Sequence, residues 1–451
     1  MTRSLPPHNV APPTHPIFGH LLAFRKDALG FLTHCARHYG PVVPLRMLHR
    51  RAFLLLDSAD IERVLVTDQK DFKKPEWLHT AAVRRALGEG LVTADGEAWR
   101  RQRHACQPAF QPRRMEHYGA LIAALAERTL ADWQPGQSRL LQQDMAHLAL
   151  QVVAQTLLEV DETGWAEEAS AAVDTLMARF TAQRSLFGMI PLPASPAERQ
   201  AARQLNAVVE TLLRRHAERA QTGPIDPKQA DMLSVLRGSA AMGGEGMSGI
   251  PLREQIKTFL SAGHESSALT LVWAFLLLAR NPPAEATLNQ ELETTLCGRP
   301  PAYADLPHLP YTRAIVQETL RLYPPVWMTG RQSLRPCEIG GLQVPTGAFL
   351  MTSQWAVQRL PQYFSCPDDF RPERWLNGET TDLPRFAYFP FGGGPRICIG
   401  QNFALVEAIL LLATIAQRFH LEPEPNSELH PWPSMTLRPP TGIRMRLTAR
   451  K

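Results

Sequence analysis

The chain has 451 residues and a formal net charge of +5, with 44% hydrophobic and 20% charged residues. This composition is typical of a folded globular protein and excludes an intrinsically disordered chain. Basic and acidic residues are intermixed, so the charge pattern indicates no nucleic-acid partner. A chain of this length would ordinarily suggest two or three domains. Because no internal repeat or long linker divides it, we predict a single domain over residues 1–451.

The chain shows no sign of export or of a membrane span. Residues 1–40 form a proline-rich entry segment whose first part lacks the apolar core of a signal peptide. The longest apolar run, Ala268–Ala279, is shorter than the ~20 residues that a membrane-spanning helix needs. We therefore predict a buried helix there, no transmembrane segment and a cytoplasmic location. The 6 cysteines are scattered without a CxxC pair, which argues against a disulfide framework or a zinc module.

In chain order, residues 41–56 alternate in hydrophobicity and predict a short β-hairpin. Helical periodicity dominates from about residue 59 to residue 236, and a loop over 187–196 interrupts it. That loop either flanks a ligand entrance or simply connects two helices. A flexible glycine-rich stretch over 238–249 precedes a long central helix over 251–280, roughly 45 Å long at 1.5 Å per residue.

The carboxyl-terminal part alternates between helix and irregular structure. A further helix ends at Pro324, and a β-rich section follows over 326–356. An irregular stretch leads to a glycine-rich loop over 391–400, and the last long helix begins near Gly400. The pattern predicts a mainly α protein with a small β-rich part.

A single cysteine, Cys398, ends the glycine-rich loop Phe-Gly-Gly-Gly-Pro-Arg-Ile-Cys-Ile-Gly. Glycine allows the backbone to approach a ligand closely and to aim N–H groups at the sulfur, a role that suits Gly394 and Gly400. The helix that follows would lower the pKa of the thiol. A phosphate-binding loop is rejected because no Lys-Ser or Lys-Thr pair follows and a proline removes a donor. A buried free cysteine remains the simple alternative.

The pattern Phe391-x-x-Gly394-x-Arg396-x-Cys398-x-Gly400 resembles the heme-binding signature of the cytochrome P450 family at every position. The resemblance implies that Cys398 is the axial ligand of the iron of heme b (iron protoporphyrin IX). It also implies that Arg396 pairs with a heme propionate and that Phe391 packs beside the sulfur. A thiolate ligand donates electron density to iron and favours cleavage of O2, the co-substrate.

Glu318 and Arg321 are three residues apart on one helix face. Alone, the pair could be an ordinary surface ion pair worth about 0–1 kcal/mol. It resembles the family's Glu-x-x-Arg motif, which is joined by a second arginine that matches Arg374 in Pro-Glu-Arg. The resemblance implies a structural lock, since a buried carboxylate with two arginines is tolerated only when all donors and acceptors are satisfied.

Polar residues interrupt the apolar central helix between Ala262 and Ser266. Ser266 can donate to the carbonyl of Ala262 and so bend or open the helix, while Gly263 leaves room nearby. The segment resembles the family's oxygen-activation motif, with Ser266 in place of the usual threonine. The resemblance implies that Glu265 and Ser266 relay protons to bound O2. The alternative is a polar patch that faces another helix.

Trp99 and Arg103 lie at positions i and i+4 of a predicted helix, spaced to hold an anionic group. They resemble the family's Trp-x-x-x-Arg motif, whose side chains bind heme propionates. Arg331 resembles another propionate-binding position. A solvated basic helix is the alternative, and we assign it to Arg100, Arg101, Arg113 and Arg114.

The motifs follow the family's order, and this resemblance implies the P450 fold, a single large domain with the long helix over the heme. It also implies a monooxygenase that oxidises an apolar small molecule, a terpenoid or a fatty acid, with substrate contacts from residues 74–90, 259–266 and 326–329. Because no flavin or ferredoxin module is recognisable, we expect a ferredoxin or flavodoxin-type donor with its NAD(P)H reductase, and a monomeric enzyme. A heme-thiolate sensor or electron carrier, or an enzyme that rearranges peroxides without external electrons, remains open.

Overall fold

The computed structural model describes residues 11–158, 164–177, 193–220, 232–238, 249–425, 430–439 and 442–450. The loop predicted over 187–196 and the flexible stretch predicted over 238–249 lie mostly outside these residues. The described part of the chain is mainly helical and contains small sheets, which confirms the predicted fold class.

The helices are amphipathic or wholly apolar according to whether one face or every face is buried. In chain order they are α1 (Leu21–Lys26), α2 (Ala28–His38), α3 (Ser58–Glu62), α4 (Ala81–Leu87), α5 (Gly96–Cys106), α6 (Pro112–Leu130), α7 (Leu141–Leu158), α8 (Gly164–Met177), α9 (Pro196–Ala220), α10 (Met232–Gly238), α11 (Gly249–Ala279), α12 (Pro282–Leu296), α13 (Pro310–Leu322), α14 (Gln354–Val357) and α15 (Gln401–Arg418).

The strands are short and form four separate sheets within the described residues. They are β1 (Val42–Met47), β2 (Arg50–Leu55), β3 (Phe72–Lys73), β4 (Ser138–Leu140), β5 (Thr329–Ser333), β6 (Cys337–Ile339), β7 (Leu342–Val344), β8 (Phe349–Thr352), β9 (Phe419–Pro423), β10 (Trp432–Pro433), β11 (Leu437–Arg438) and β12 (Arg444–Ala449).

The largest sheet has the strand order β1-β2-β8-β5-β3. Its first two strands are the antiparallel hairpin that the sequence predicts over 41–56. Strand β2 pairs in parallel with β8, and β8 pairs with β5 in antiparallel register. The predicted β-rich section over 326–356 therefore completes a sheet that begins near the amino terminus.

Helix α11 runs through the centre of the fold and packs against α4, α7, α13 and α15. Its 31 residues span about 46 Å, and it begins two residues before the predicted start. By length and composition its segment Leu252–Ala279 could cross a membrane, but 72% of the apolar window is buried inside the protein. The helix remains α-helical through Gly263 and Ser266, so the predicted opening is not seen.

Two of the four hydrophobic clusters in the described part of the chain support this arrangement. One joins α6, α7, α11, α13 and α15, and the other lies beneath the largest sheet and the amino-terminal helices. The loop over 391–400 connects the two, because it leaves the second core and leads directly into α15. As a result, the loop and the polar middle of α11 border the same interior cavity.

Candidate active site

A cavity of about 550 Å³ lies between the middle of α11 and the loop over 391–400. It collects most of the residues that the sequence singles out. Those that line it are Trp99, Arg103, Ala262, Gly263, Glu265, Ser266, Arg331, Phe391, Arg396, Cys398 and Gly400. The three segments predicted to contact substrate, 74–90, 259–266 and 326–329, also contribute to its wall.

The Cys398 side chain is solvent-accessible although it lies deep in the protein, because it faces this cavity. Its backbone N–H donates to the carbonyl of Phe391 at 3.0 Å, which closes the loop beneath it. Burial raises the pKa of the thiol, while the Gly400 N–H and the Arg103 charge lower it less. The prediction of a lowered pKa in the protein alone was therefore wrong, because the desolvation of the thiolate outweighs the donors aimed at it.

Two glycines of the loop make close contacts that a side chain would prevent. Gly394 has φ +68°, and a Cβ atom there would lie 2.0 Å from the carbonyl oxygen of Leu65. At Gly393 it would lie 2.2 Å from the ring of Phe386. We had expected Gly394 to allow a close approach to a ligand. Gly394 does not line the cavity, however, and its close approach is to the segment around Leu65. A Cβ at Gly400 would meet only ordinary contact, at 3.6 Å.

The arginines of the cavity wall have few carboxylate partners. Arg103 donates to the carbonyl of Ile397 at 2.7 Å, and Arg331 donates to the carbonyl of Gly330 at 2.8 Å. In the described part of the chain, neither one donates to a carboxylate. Burial, with a further contribution from Arg396, lowers the pKa of Arg331 to about 10. These guanidinium groups can therefore accept an anion that enters the cavity.

Two further charged residues belong to the cavity region: Lys74, predicted only as the start of a substrate-contact segment, and Asp95, which the sequence analysis did not identify. Lys74 lines the cavity, and its Nζ donates to two backbone carbonyls at 2.7 and 2.8 Å. Burial and the charge of Arg396 lower its pKa. Asp95 forms an ion pair with Arg396 and caps α5, a role that its position before the helix could have signalled. The Arg396 guanidinium also lies 4.3 Å over the Trp99 ring.

These charges test whether the cavity fits a dianionic cofactor. The guanidinium groups of Arg103, Arg331 and Arg396 surround one cavity, and Asp95 is the carboxylate paired with Arg396. The positive excess is therefore large enough to hold two carboxylates. A thiol that faces the same space completes a donor set suited to heme, whose iron takes a thiolate and whose propionates take arginines.

The polar middle of α11 is arranged differently from the expected relay. Ser266 Oγ donates to the carbonyl of Ala262 at 2.9 Å, as its spacing predicts. Glu265 Oε1 accepts from Thr436 Oγ1 at 2.7 Å and from Arg438 Nε at 2.7 Å. Among the described residues, no hydrogen bond joins Glu265 to Ser266. The Glu265 carboxylate is held instead by the strand that contains Arg438, a contact between distant parts of the chain.

Glu318 lies completely buried beneath the site, outside the cavity. Its Oε1 accepts from Arg321 Nη2 at 2.8 Å, Arg374 Nε at 3.0 Å and the Arg371 backbone N–H at 2.9 Å. Its Oε2 accepts from Arg321 Nε at 2.8 Å and Trp375 Nε1 at 2.9 Å. The three residues that we expected to interact are therefore in contact, and Trp375 and the Arg371 backbone join them.

Comparison with known proteins agrees with this geometry. The family model for "Cytochrome P450" matches residues 10–447. The relative cyclooctat-9-en-7-ol 5-monooxygenase of Streptomyces melanosporofaciens is 34% identical over 93% of this chain and 90% of its own length. Pentalenene oxygenase of Streptomyces avermitilis is 33% identical over 98% of this chain and 97% of its own length. The chain belongs to the cytochrome P450 family.

The heme domain of cytochrome P450DA has a similar structure, with a TM-score of 0.83 and 26% identity, over 100% of this chain and 99% of that one. Retinoic acid bound cyanobacterial CYP120A1 shares the fold with a TM-score of 0.82 at 24% identity, over 99% of this chain and 100% of that one. As a P450, this chain is a heme b-dependent monooxygenase with O2 as co-substrate. It oxidises a small apolar substrate and depends on a redox partner.

Proposed function

We propose that this P450 oxidises a terpenoid, with Cys398 as the axial ligand of the heme iron. The observation that carries the proposal is that the Cys398 sulfur, Arg103 and Arg331 face one cavity. Among the described residues, neither arginine is paired with a carboxylate. Arg103, Arg331 and Arg396 would hold the propionates, together with the Trp99 indole N–H. When bound, heme supplies thiolate-ligated iron that activates O2.

The cavity wall supports an apolar substrate. Much of it is aliphatic, aromatic or thioether in character, which excludes water and binds hydrocarbon. Examples from five different elements or loops are Leu78, Val153, Phe259, Met328 and Met435. Two relatives are named for cyclooctat-9-en-7-ol and pentalenene, terpenoids that those enzymes modify. We therefore favour a terpenoid over a fatty acid.

Three residues of α11 that face the cavity, Gly263, Ser266 and Glu265, have different roles. Gly263 has no side chain, and a Cβ there would lie 3.0 Å from Val153, so the helix wall packs tightly at this point. Ser266 Oγ, while donating to Ala262, keeps its lone pairs available to a ligand in the cavity. It can therefore accept a proton and pass its own proton on. Glu265, held by Arg438, supplies a fixed negative charge nearby.

For the electron donor we propose a ferredoxin or flavodoxin-type protein with its NAD(P)H reductase, in the cytoplasm. Arg100, Arg101 and Arg113 are exposed on α5 and α6, close in sequence to the cavity residues Trp99 and Arg103. A basic surface of this kind attracts an acidic donor and accelerates association. Arg114, by contrast, is buried and does not belong to this surface, which corrects its placement on a solvated helix.

The decisive experiment is the spectrum of the reduced holo-protein under carbon monoxide. We expect the red-shifted absorbance of thiolate-ligated heme, and we expect Cys398→Ser to abolish it. Cys366→Ser is the matched control, because Cys366 is also solvent-accessible but lies outside the cavity. An unchanged spectrum in the Cys398 variant would overturn the assignment.

Substrate class is tested on the same protein by shifts of the Soret band. A panel of cyclic terpenes, terpene alcohols and long-chain fatty acids would be titrated into the resting enzyme. We expect the cyclic terpenes to shift the band at lower concentrations than the fatty acids. Tighter binding of fatty acids would contradict the terpenoid proposal while leaving the heme assignment intact.

A further inference from the structure

A second cavity, about 1180 Å³ in volume, borders a different face of α11 from the active-site cavity. Its wall is formed by α6, α7, α8 and α11, together with the chain near Arg438 and Gly442. Among the described residues, Glu265 alone lines both cavities. The site described above makes no use of this space, which is about twice as large as the active-site cavity.

His264 presents a hydrogen-bond acceptor to the second cavity. The residue lines the wall although it is only 2% exposed. Its Nδ1 lies 2.6 Å from the Leu260 carbonyl oxygen. Because a carbonyl oxygen can only accept, Nδ1 carries the proton of this bond, and Nε2 of the neutral ring keeps a lone pair. In the described part of the chain no group donates to this Nε2, so the wall offers an unused acceptor.

Two other side chains of the wall carry donors. The Gln151 amide nitrogen lies 2.8 Å from His147 Nε2 and donates to it, so the neutral His147 ring has its proton on Nδ1. The Trp165 indole Nε1–H is buried and has no acceptor among the residues that the structure describes. A wall with both an unused acceptor and unused donors suits a hydroxyl group, which donates and accepts at once.

The charged side chains of the wall neutralise one another. Arg139 donates to both carboxylate oxygens of Asp144, at 2.7 and 2.8 Å. Arg438 is paired with Glu265 and, at 3.2 Å, with Asp174. One more arginine and one more aspartate add a charge of each sign. The second cavity therefore lacks the positive excess of the active-site cavity, and it favours a neutral ligand over an anion.

Much of the rest of the wall is apolar. Leu125, Leu269 and Ile443 contribute aliphatic side chains from α6, α11 and the segment before β12, and Trp133 adds an aromatic ring. Such a surface binds hydrocarbon by removing it from water. The volume exceeds the ~300–1,000 Å³ that is usual for a small-molecule pocket, so it accommodates a polycyclic skeleton. A hydrocarbon skeleton that carries a hydroxyl group matches both the apolar and the polar parts of this wall.

We propose that the second cavity binds a terpenoid alcohol. The terpenoid skeleton rests on the proposed function, since monooxygenation of a terpenoid yields such an alcohol. The hydroxyl rests on the wall itself, because its hydrogen is donated to His264 Nε2 while its oxygen accepts from a donor such as Trp165. The alcohol lies against Glu265 from a different side than the substrate, so one chain holds both molecules at the same time.

Calorimetric titration of the holo-protein tests for this site directly. The active-site cavity is first filled with clotrimazole, an azole ligand of heme iron, and saturation is read from the Soret band. Cedrol, a tricyclic terpene alcohol, is then added, and we expect one molecule to bind per chain. Cedryl methyl ether, whose oxygen accepts but does not donate, should bind roughly tenfold more weakly. No binding of cedrol, or equally tight binding of the ether, would overturn the proposal.

Two variants locate the bound alcohol. His264→Phe removes the acceptor and should lower the affinity for cedrol roughly tenfold, with no change in the affinity for the ether. Ala171→Trp fills the second cavity from an exposed position on α8 and should abolish binding of both. Ala207→Trp is the matched control, because Ala207 is an exposed alanine of α9 that lines neither cavity. Wild-type affinity in Ala171→Trp, or an equal loss in Ala207→Trp, would refute the site.

The carbon monoxide spectrum separates this proposal from the proposed function. Each variant should keep the thiolate-heme spectrum, because none of the three changed residues lines the active-site cavity. Absence of that spectrum in wild type refutes the proposed function. A normal spectrum in a protein that does not bind cedrol refutes the second site alone.

Discussion

The buried Glu318 cluster supports a quantitative prediction. Replacing Glu318 by alanine removes one carboxylate that accepts five hydrogen bonds. Arg321 and Arg374 then remain buried and lose their shared counter-charge. Arg321 also donates to the carbonyls of Gln358, Pro367 and Asp369, so movement of its side chain would release the irregular segment before the cysteine loop.

The size of the effect follows from burial. Breaking a buried ion pair by removing one partner costs about 3–5 kcal/mol, because an uncompensated charge stays in the interior. A folded protein has a total stability of only about 5–15 kcal/mol. We therefore expect Glu318→Ala to unfold at a much lower temperature and to be unable to retain heme. Glu318→Gln should fall in between, because it keeps acceptor capacity on one oxygen and loses the charge.

The same cluster predicts a dependence on pH. Burial alone would raise the pKa of Glu318, but the hydrogen bonds and charge of Arg321, with the charge of Arg374, hold it below its usual value. A carboxyl group whose pKa is lowered by folding stabilises the protein above its unfolded pKa, near 4.5, and loses that contribution as the pH falls further. The difference in unfolding free energy between wild type and Glu318→Gln should therefore become smaller as the pH falls below about 4.

The assay combines heme content per polypeptide with thermal unfolding of wild type, Glu318→Ala and Glu318→Gln. Glu373→Gln is the control, because the Glu373 carboxylate lies nearby and accepts from the Tyr311 hydroxyl at 2.6 Å but, among the described residues, accepts from neither arginine of the cluster. We expect the control to retain heme. Normal heme content and an unchanged melting temperature in Glu318→Ala would refute the reasoning.

Three further predictions concern single residues. Ser266→Ala removes the hydroxyl that donates to Ala262 and should raise peroxide release per NAD(P)H consumed; an unchanged ratio would mean that this hydroxyl passes no proton. Gly394→Ala brings a methyl group within 2.0 Å of a carbonyl oxygen and should cost at least about 2 kcal/mol in thermal unfolding. Gly392→Ala, also at positive φ but in open space, should cost less, and equal losses would contradict the steric explanation. Arg438→Gln frees the Glu265 carboxylate and should move the pH–rate profile; an identical profile would show that this contact does not affect proton transfer.

The sequence by itself determined the fold class and part of the cavity wall. Three features could be recognised because each is defined by a few neighbouring residues: the motif around Cys398, the pair Trp99 and Arg103, and the polar interruption of α11. Local spacing is sufficient in such cases, because side chains at i and i+4 share a helix face and a glycine-rich loop constrains its own backbone. The hairpin over 41–56 was predicted for the same reason.

Contacts between distant segments were decided by the tertiary structure alone. Glu265 pairs with Arg438, 173 residues later in the chain. No pattern of neighbouring residues predicts such a pair. Glu407 follows the cysteine motif in a mostly apolar helix, and only its complete burial in the folded protein raises its pKa, to about 8. The pKa of Cys398 rises for a related reason, because desolvation depends on everything packed around a group and not on its neighbours in the chain.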